Sequence, residues 1–121
     1  MKFIMFLPIL AMFICSFANA NQTLNVNDVI LDKMLLQGKV ITVIGRYEHI
    51  DTIPQLYNKG SDIGSPSFTV DTSNLSRDWR KWLMTNCVVN YVDKFGCDVT
   101  FTGVLEIDML DFITFKAQSA Q

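Results

Sequence analysis

The sequence predicts a mainly β domain: a small five-stranded barrel, with a helix between strands three and four and a short helix ahead of the first strand. Three observations lead there. Four stretches, residues 38–50, 67–72, 98–107 and 112–117, alternate apolar and polar side chains, the period-two signature of strands with one buried face. Between the second and third of these, "SNLSRDWRKWLMTNC" switches to helical spacing. The chain is also one small domain long, room for a single edge-free sheet.

Residues 1–20 (MKFIMFLPILAMFICSFANA) stand apart from that domain. Lys2 precedes an apolar run from Phe3 to Phe17, and Ala18-Asn19-Ala20 follows. A basic start, an apolar middle and a cleavage site of small residues make a secretory signal peptide. The run is shorter than the ~20 residues a helix needs to span hydrocarbon, and Pro8 interrupts it. Cys15 follows bulky Met12, Phe13 and Ile14, where a lipid-bearing cysteine wants small neighbours. The expected mature chain is a single domain, residues 21–121, periplasmic or secreted. Without Lys2, nine basic groups face twelve acidic ones, a formal charge of −3. A mildly acidic surface gives no steering toward nucleic acid, whose binding is dominated by phosphate neutralisation.

The elements follow in order. Residues 25–36 predict a short helix with Asn27 as N-cap, Asp28 at its positive end, and Val26, Ile30 and Met34 on one face, stopped by Gly38. The strand over residues 38–50 sets Ile41, Val43, Gly45 and Tyr47 on one face and Val40, Thr42, Ile44 and Arg46 on the other. Gly45 suggests a bulge or bend that turns a barrel corner. Residues 51–66 hold Pro54, Gly60, Gly64 and Pro66 and are expected to be mostly loop, with Leu56-Tyr57 an edge pairing or an anchor. Phe68 and Val70 then point inward from the next strand. In the central helix Ser76 is the N-cap, and Trp79, Trp82 and Leu83 form the apolar stripe. Val99, Phe101 and Leu105 share a face with Gly103, and Ile113, Phe115 and Ala117 point inward from the last strand.

This order describes the OB-fold, a five-stranded Greek-key barrel. "LLQGKVITVIG" resembles the opening strand of bacterial exported OB-fold proteins and of the OB family related to tRNA-anticodon-binding domains. "GCDVTFTGVLEI" followed by "FITFKAQSA" resembles their closing pair, over most of residues 35–117. The resemblance implies the barrel and no particular ligand.

With Cys15 gone in the leader, an even pair remains, Cys87 and Cys97. In an oxidising compartment these are expected to form a structural disulfide that staples the helix to the fourth strand. A metal pair would need more ligands than one histidine, His49, supplies, and a redox pair wants two intervening residues rather than nine. No metal or cofactor is implied.

In an OB barrel the expected ligand surface is the outer face of the second and third strands with the flanking loops. The candidates there are Arg46, Tyr47, His49, Tyr57, Lys59, Thr69 and Asp71: tyrosines to stack on a sugar or base, cations to meet an anion. "RDWRKW" (Arg77 to Trp82) mixes bases with aromatics as a stacking site would. Its spacing fits a core stripe with a solvated rim better. No nucleophile, metalloprotease or phosphate-loop motif occurs. Arg46 and Glu48 are the only close pair that a nuclease site could use, and their spacing is common on strand surfaces. The expectation is a small, non-catalytic binding module for a protein, peptide or envelope ligand. A glycan-binding, ring-forming subunit resembling bacterial toxin B components is the alternative, with single-stranded nucleic acid third and the state monomer or ring.

Overall fold

A computed structural model of the chain describes residues 22–50, 53–60, 65–88 and 96–121. The expected signal peptide and most of the connector between the two cysteines lie outside them. The described elements are β1 (Thr23–Asn25), α1 (Val26–Leu31), α2 (Lys33–Leu36), β2 (Val40–Ile50), β3 (Ile53–Tyr57), β4 (Ser67–Asp71), α3 (Arg77–Asn86), β5 (Cys97–Ile107) and β6 (Ile113–Ala120). Among the described residues no helix is long and apolar enough to cross a membrane.

The chain is mainly β, and five strands close into a barrel. Around the circuit β2 pairs with β3, β3 with β4, β4 with β6, β6 with β5, and β5 returns to β2. The β4–β6 pairing is parallel and the other four antiparallel. β1 is an outer strand, parallel to β2 over Thr42 to Ile44. β2 must therefore serve three neighbours, and its length of 11 residues makes this possible. Its first half lies between β1 and β5; from Arg46 onward β3 takes the place of β1.

Period-two alternation builds the core. Ile41, Val43, Tyr47, Leu56, Phe68, Val70, Val99, Phe101, Leu105, Phe115 and Ala117 are buried inside the barrel wall, with Val26 and Val29 of α1 and Leu75 and Leu83 packed on them. Ile113, expected inward, is only half-buried, because β6 starts there beside the exposed β5–β6 turn.

Several expectations are corrected. Asn25, not Asn27, caps α1: its Oδ1 accepts the Asp28 amide at 2.8 Å. The helix then breaks at Asp32, so Met34 leaves the buried face and is exposed. The span expected to be loop contains a true strand, β3. Pro54 is tolerated because the ladder to β4 begins one residue later, at Gln55. Gly45 makes no bulge toward β5, since the rungs run unshifted from Val40–Val104 to Tyr47–Cys97. It answers a close approach instead: a Cβ there would stand 2.6 Å from the Tyr57 carbonyl oxygen and 2.9 Å from Leu56 Cγ. The register shift falls between Thr102 and Gly103 in the β5–β6 pair.

The helix α3 begins as expected, with Ser76 Oγ accepting the Trp79 amide at 3.2 Å. Its buried face is narrower than the stripe predicts. Leu83 is buried and Trp79 half-buried, but Trp82 is 42% exposed and meets Trp79 edge to face at 5.5 Å. Cys87 caps the end of α3, at disulfide distance from Cys97 with Cα atoms 5.1 Å apart, a separation that suits the bridge. The Cys87 carbonyl also accepts the His49 amide at 3.1 Å. The end of the helix is thereby tied to β2 and β5 at one point.

A candidate groove on the outer face of the barrel

The strands β2, β3 and β4 turn alternate side chains outward, and pairing sets these in rows across the wall. One row runs Arg46, Tyr57, Ser67; the next runs Glu48, Gln55, Thr69 and, across the closure, Thr114 of β6.

The first row is occupied by its own contacts. Arg46 Nε donates to Glu48 Oε1 at 2.9 Å, the two sharing one face of β2 at i, i+2. The Arg46 guanidinium lies over the Tyr57 ring, 5.3 Å from its centroid, a cation–π contact. Both partners of the ion pair are largely covered, with side chains 17% and 12% exposed. Gly96 comes close against Glu48 with φ +83°, and a Cβ on it would stand 2.8 Å from Glu48 Cγ. Arg46 and Tyr57 thus satisfy each other rather than waiting for an anion or a base.

Past Glu48, the second row is uncharged and lines a hollow. Gln55 stretches its amide along β4, donating from Nε2 to Thr69 Oγ1 at 3.1 Å and accepting on Oε1 from Ser67 Oγ at 3.0 Å. These groups and Thr114 form the floor of a groove of about 540 Å³. Ile30, Lys33, Pro66, Phe68, Phe112 and Ile113 complete its lining. An ion pair between Lys33 Nζ and Asp111 Oδ2, 2.6 Å, spans its rim and ties the β5–β6 turn to α2. The turn is closed by its own bonds: Asp108 Oδ1 accepts the amides of Leu110 at 2.8 Å and Phe112 at 3.0 Å, and Asp111 takes a left-handed φ of 69°.

The residues expected at the site divide accordingly. Thr69 lies in the groove floor. Arg46 and Tyr57 border it and are mutually engaged. Tyr47 does not belong to the outer face at all: it is 1% exposed, points into the barrel and packs edge to face on Phe101. Burial pushes its phenol up to about 12, against a smaller opposing effect from a Thr72 hydrogen bond. His49 stands beside it, with Nδ1 3.3 Å from the Tyr47 hydroxyl. Lys59 is exposed in the turn after β3, past the last β2–β3 rung. Asp71 ends β4 by accepting the Ser73 amide at 2.9 Å, and hydrogen bonds from the Ser73 side chain and backbone hold its carboxyl below the usual range.

Sequence reasoning missed Gln55, Ser67, Thr114, Phe112 and Lys33. Gln55 was hidden by the loop reading of residues 51–66; treating Gln55 and Tyr57 as alternate members of a strand would have found it. Lys33 and Phe112 come from opposite ends of the chain, and nothing local announces their meeting.

The groove holds one amide and three hydroxyls, with Gln55, Ser67 and Thr69 bonded to one another, beside apolar side chains, and its single cation is paired with Asp111. Polar groups set beside apolar side chains are the usual lining of pockets for partly apolar ligands. Among the described residues no three His, Cys, Asp or Glu side chains converge as metal ligands. Compared with family models and with curated proteins, the chain finds no match.

Proposed function

We propose that the chain is a small exported binding module with no catalytic role, built on an OB-type barrel and taking a peptide or protein segment of the cell envelope in its outer groove. One observation carries the reading: the groove floored by Gln55, Ser67, Thr69 and Thr114 and walled by Phe112. The circuit β2–β3–β4–β6–β5, with α3 between β4 and β5 in the chain, supports the OB assignment. In that fold the face of the second and third strands and the hairpin joining the last two are where ligands sit, and the groove lies between them. An extended peptide suits its floor, alternating hydrogen-bonding groups with side chains that can lie against Phe112 and Pro66. The leader of residues 1–20 supports export.

The test is selection from a library of random linear peptides on the exported chain, followed by amide-shift mapping of an enriched peptide on labelled protein. Shifts should concentrate at Gln55, Ser67, Thr69 and Thr114. Thr69→Arg, which fills the groove with a long cation, should cost at least tenfold in affinity while the unfolding midpoint holds. Enrichment of nothing, or shifts confined to α3, would sink the proposal. The second reading, a ring-forming glycan-binding subunit, is favoured by one observation, the large apolar side chains left exposed on the β5–β6 turn and on α1 and α2.

A further inference from the structure

Six exposed large apolar side chains flank, along the chain, the two residues of one ion pair. Leu31, Met34 and Leu35 lie within two residues of Lys33; Met109, Leu110 and Phe112 lie within two residues of Asp111; all six are well exposed. Scattered exposed leucines are ordinary, but a contiguous cluster marks a contact surface. The side chains are also held out rather than left to collapse. The Asp108 carboxylate and the Asp111–Asp108 backbone bond pin the turn, and Met109 at its tip is fully exposed. The surroundings are acidic, with Asp28, Asp32, Asp108 and Asp111 against Lys33 and Lys39.

The helix α3 is the opposite in charge. Arg77, Arg80 and Lys81 face a single acid, Asp78, and make no ion pair among the described residues. The three bases line a hollow with Met84 and Thr85, and Trp82 and Met84 are both exposed. Leu83 is the one fully buried side chain of this helix.

We infer that copies of this chain associate head to tail, α3 of one copy docking on the apolar, acid-rimmed patch around Lys33–Asp111 of the next. Charge decides between the possible pairings. Patch against patch brings carboxylates together, and helix against helix brings guanidinium and ammonium groups together. Only patch against helix sets opposite charges face to face and covers Met109 and Leu110 with Trp82 and Met84. A phospholipid surface fits less well, since its anionic headgroups would meet the aspartates around the apolar cluster. A contact between two different surfaces is heterologous, so it repeats from copy to copy, in a closed ring or an open chain. The patch meets the groove of the proposed peptide site at Lys33, Asp111 and Phe112, so the variants that test it sit at Met109, Leu110, Arg77 and Lys81, none of which lines the groove.

The test is light-scattering mass and sedimentation of the exported chain over a concentration series. Two double variants accompany it, Met109→Ser/Leu110→Ser and Arg77→Glu/Lys81→Glu, all at exposed positions. Wild type should gain mass with concentration, with Trp82 emission shifting to the blue, and its association should weaken roughly tenfold or more as salt rises to about 1 M. Each variant alone should be monomeric at an unchanged unfolding midpoint. Mixed in equal amounts they should form a dimer and nothing larger, because each retains the surface the other lacks. A monomeric wild type, a variant that still associates by itself, or a mixture that stays monomeric would each overturn the inference. Unfolded variants are replaced by the single changes Leu110→Ser and Lys81→Glu, read in the same mixing experiment.

Discussion

Tyr47 meets Phe101 edge to face inside the barrel, ring centroids 5.8 Å apart and planes at 85°, with its hydroxyl 3.3 Å from His49 Nδ1. A polar tip on a buried ring has a consequence in alkali. Burial raises the Tyr47 phenol to about 12, whereas the unfolded chain loses that proton near the ordinary value of 10. Between these two pH values the unfolded state binds fewer protons, so stability falls as pH rises; below about pH 10 the full contribution is present. The loss is on the order of 3 kcal/mol when complete. Denaturant melts across this window should show Tyr47→Phe losing less stability than wild type. Parallel curves for the two proteins would place the phenol in water.

The Arg46–Glu48 pair should behave as a covered ion pair. Removing one partner strands the other charge, so Arg46→Met alone should cost about 3–5 kcal/mol. The double change Arg46→Met/Glu48→Leu should recover most of that loss, because no charge is left under the Tyr57 ring and the Gly96 backbone. Urea midpoints of wild type, both single variants and the double variant complete the cycle; additive losses would mean that the pair is solvated.

On α3, neighbouring large side chains should differ in opposite directions from their size. Leu83 is 1% exposed, and Leu83→Ala should cost about 2–5 kcal/mol. Trp82→Ala removes a larger ring, yet much of that ring already faces water, so about 1 kcal/mol or less is expected. Thermal melts of the two variants decide it, and a larger loss for Trp82 would return the indole to the core.

Cys87 and Cys97 should be found linked when exported protein is mapped without reductant. Closing this loop contributes on the order of 3 kcal/mol by the chain-entropy estimate. The Cys87→Ser/Cys97→Ser variant should therefore unfold at lower denaturant while keeping the barrel's circular dichroism. Ready alkylation of both thiols in exported wild-type protein would contradict the bridge.

How far the sequence can be read differs from element to element. The inward faces of β2, β4 and β5 were legible because alternation is a local property: Val43, Phe68 and Phe101 announce a buried side whatever the neighbours are. The Ser76 cap was legible for the same reason, since its hydroxyl and the Trp79 amide lie one turn apart. The Asn25 cap was misplaced by two residues, because asparagines at both positions satisfy the same local rule. The strand β3 was lost to Pro54, whose harm depends on which flank of the strand is paired there.

By itself the sequence determined the β content, most of the inward-facing strand side chains and the cysteine pair that can meet, all from spacing along the chain. Tertiary structure alone decided that Arg46 is engaged by Glu48 and Tyr57, that Trp82 stays in water, and that Lys33 meets Asp111 at the mouth of a groove. The reason is the same in each case. Periodicity says which way a side chain points from its own backbone, but what it meets there depends on strand register and on where distant segments close, and these are settled only when the barrel forms.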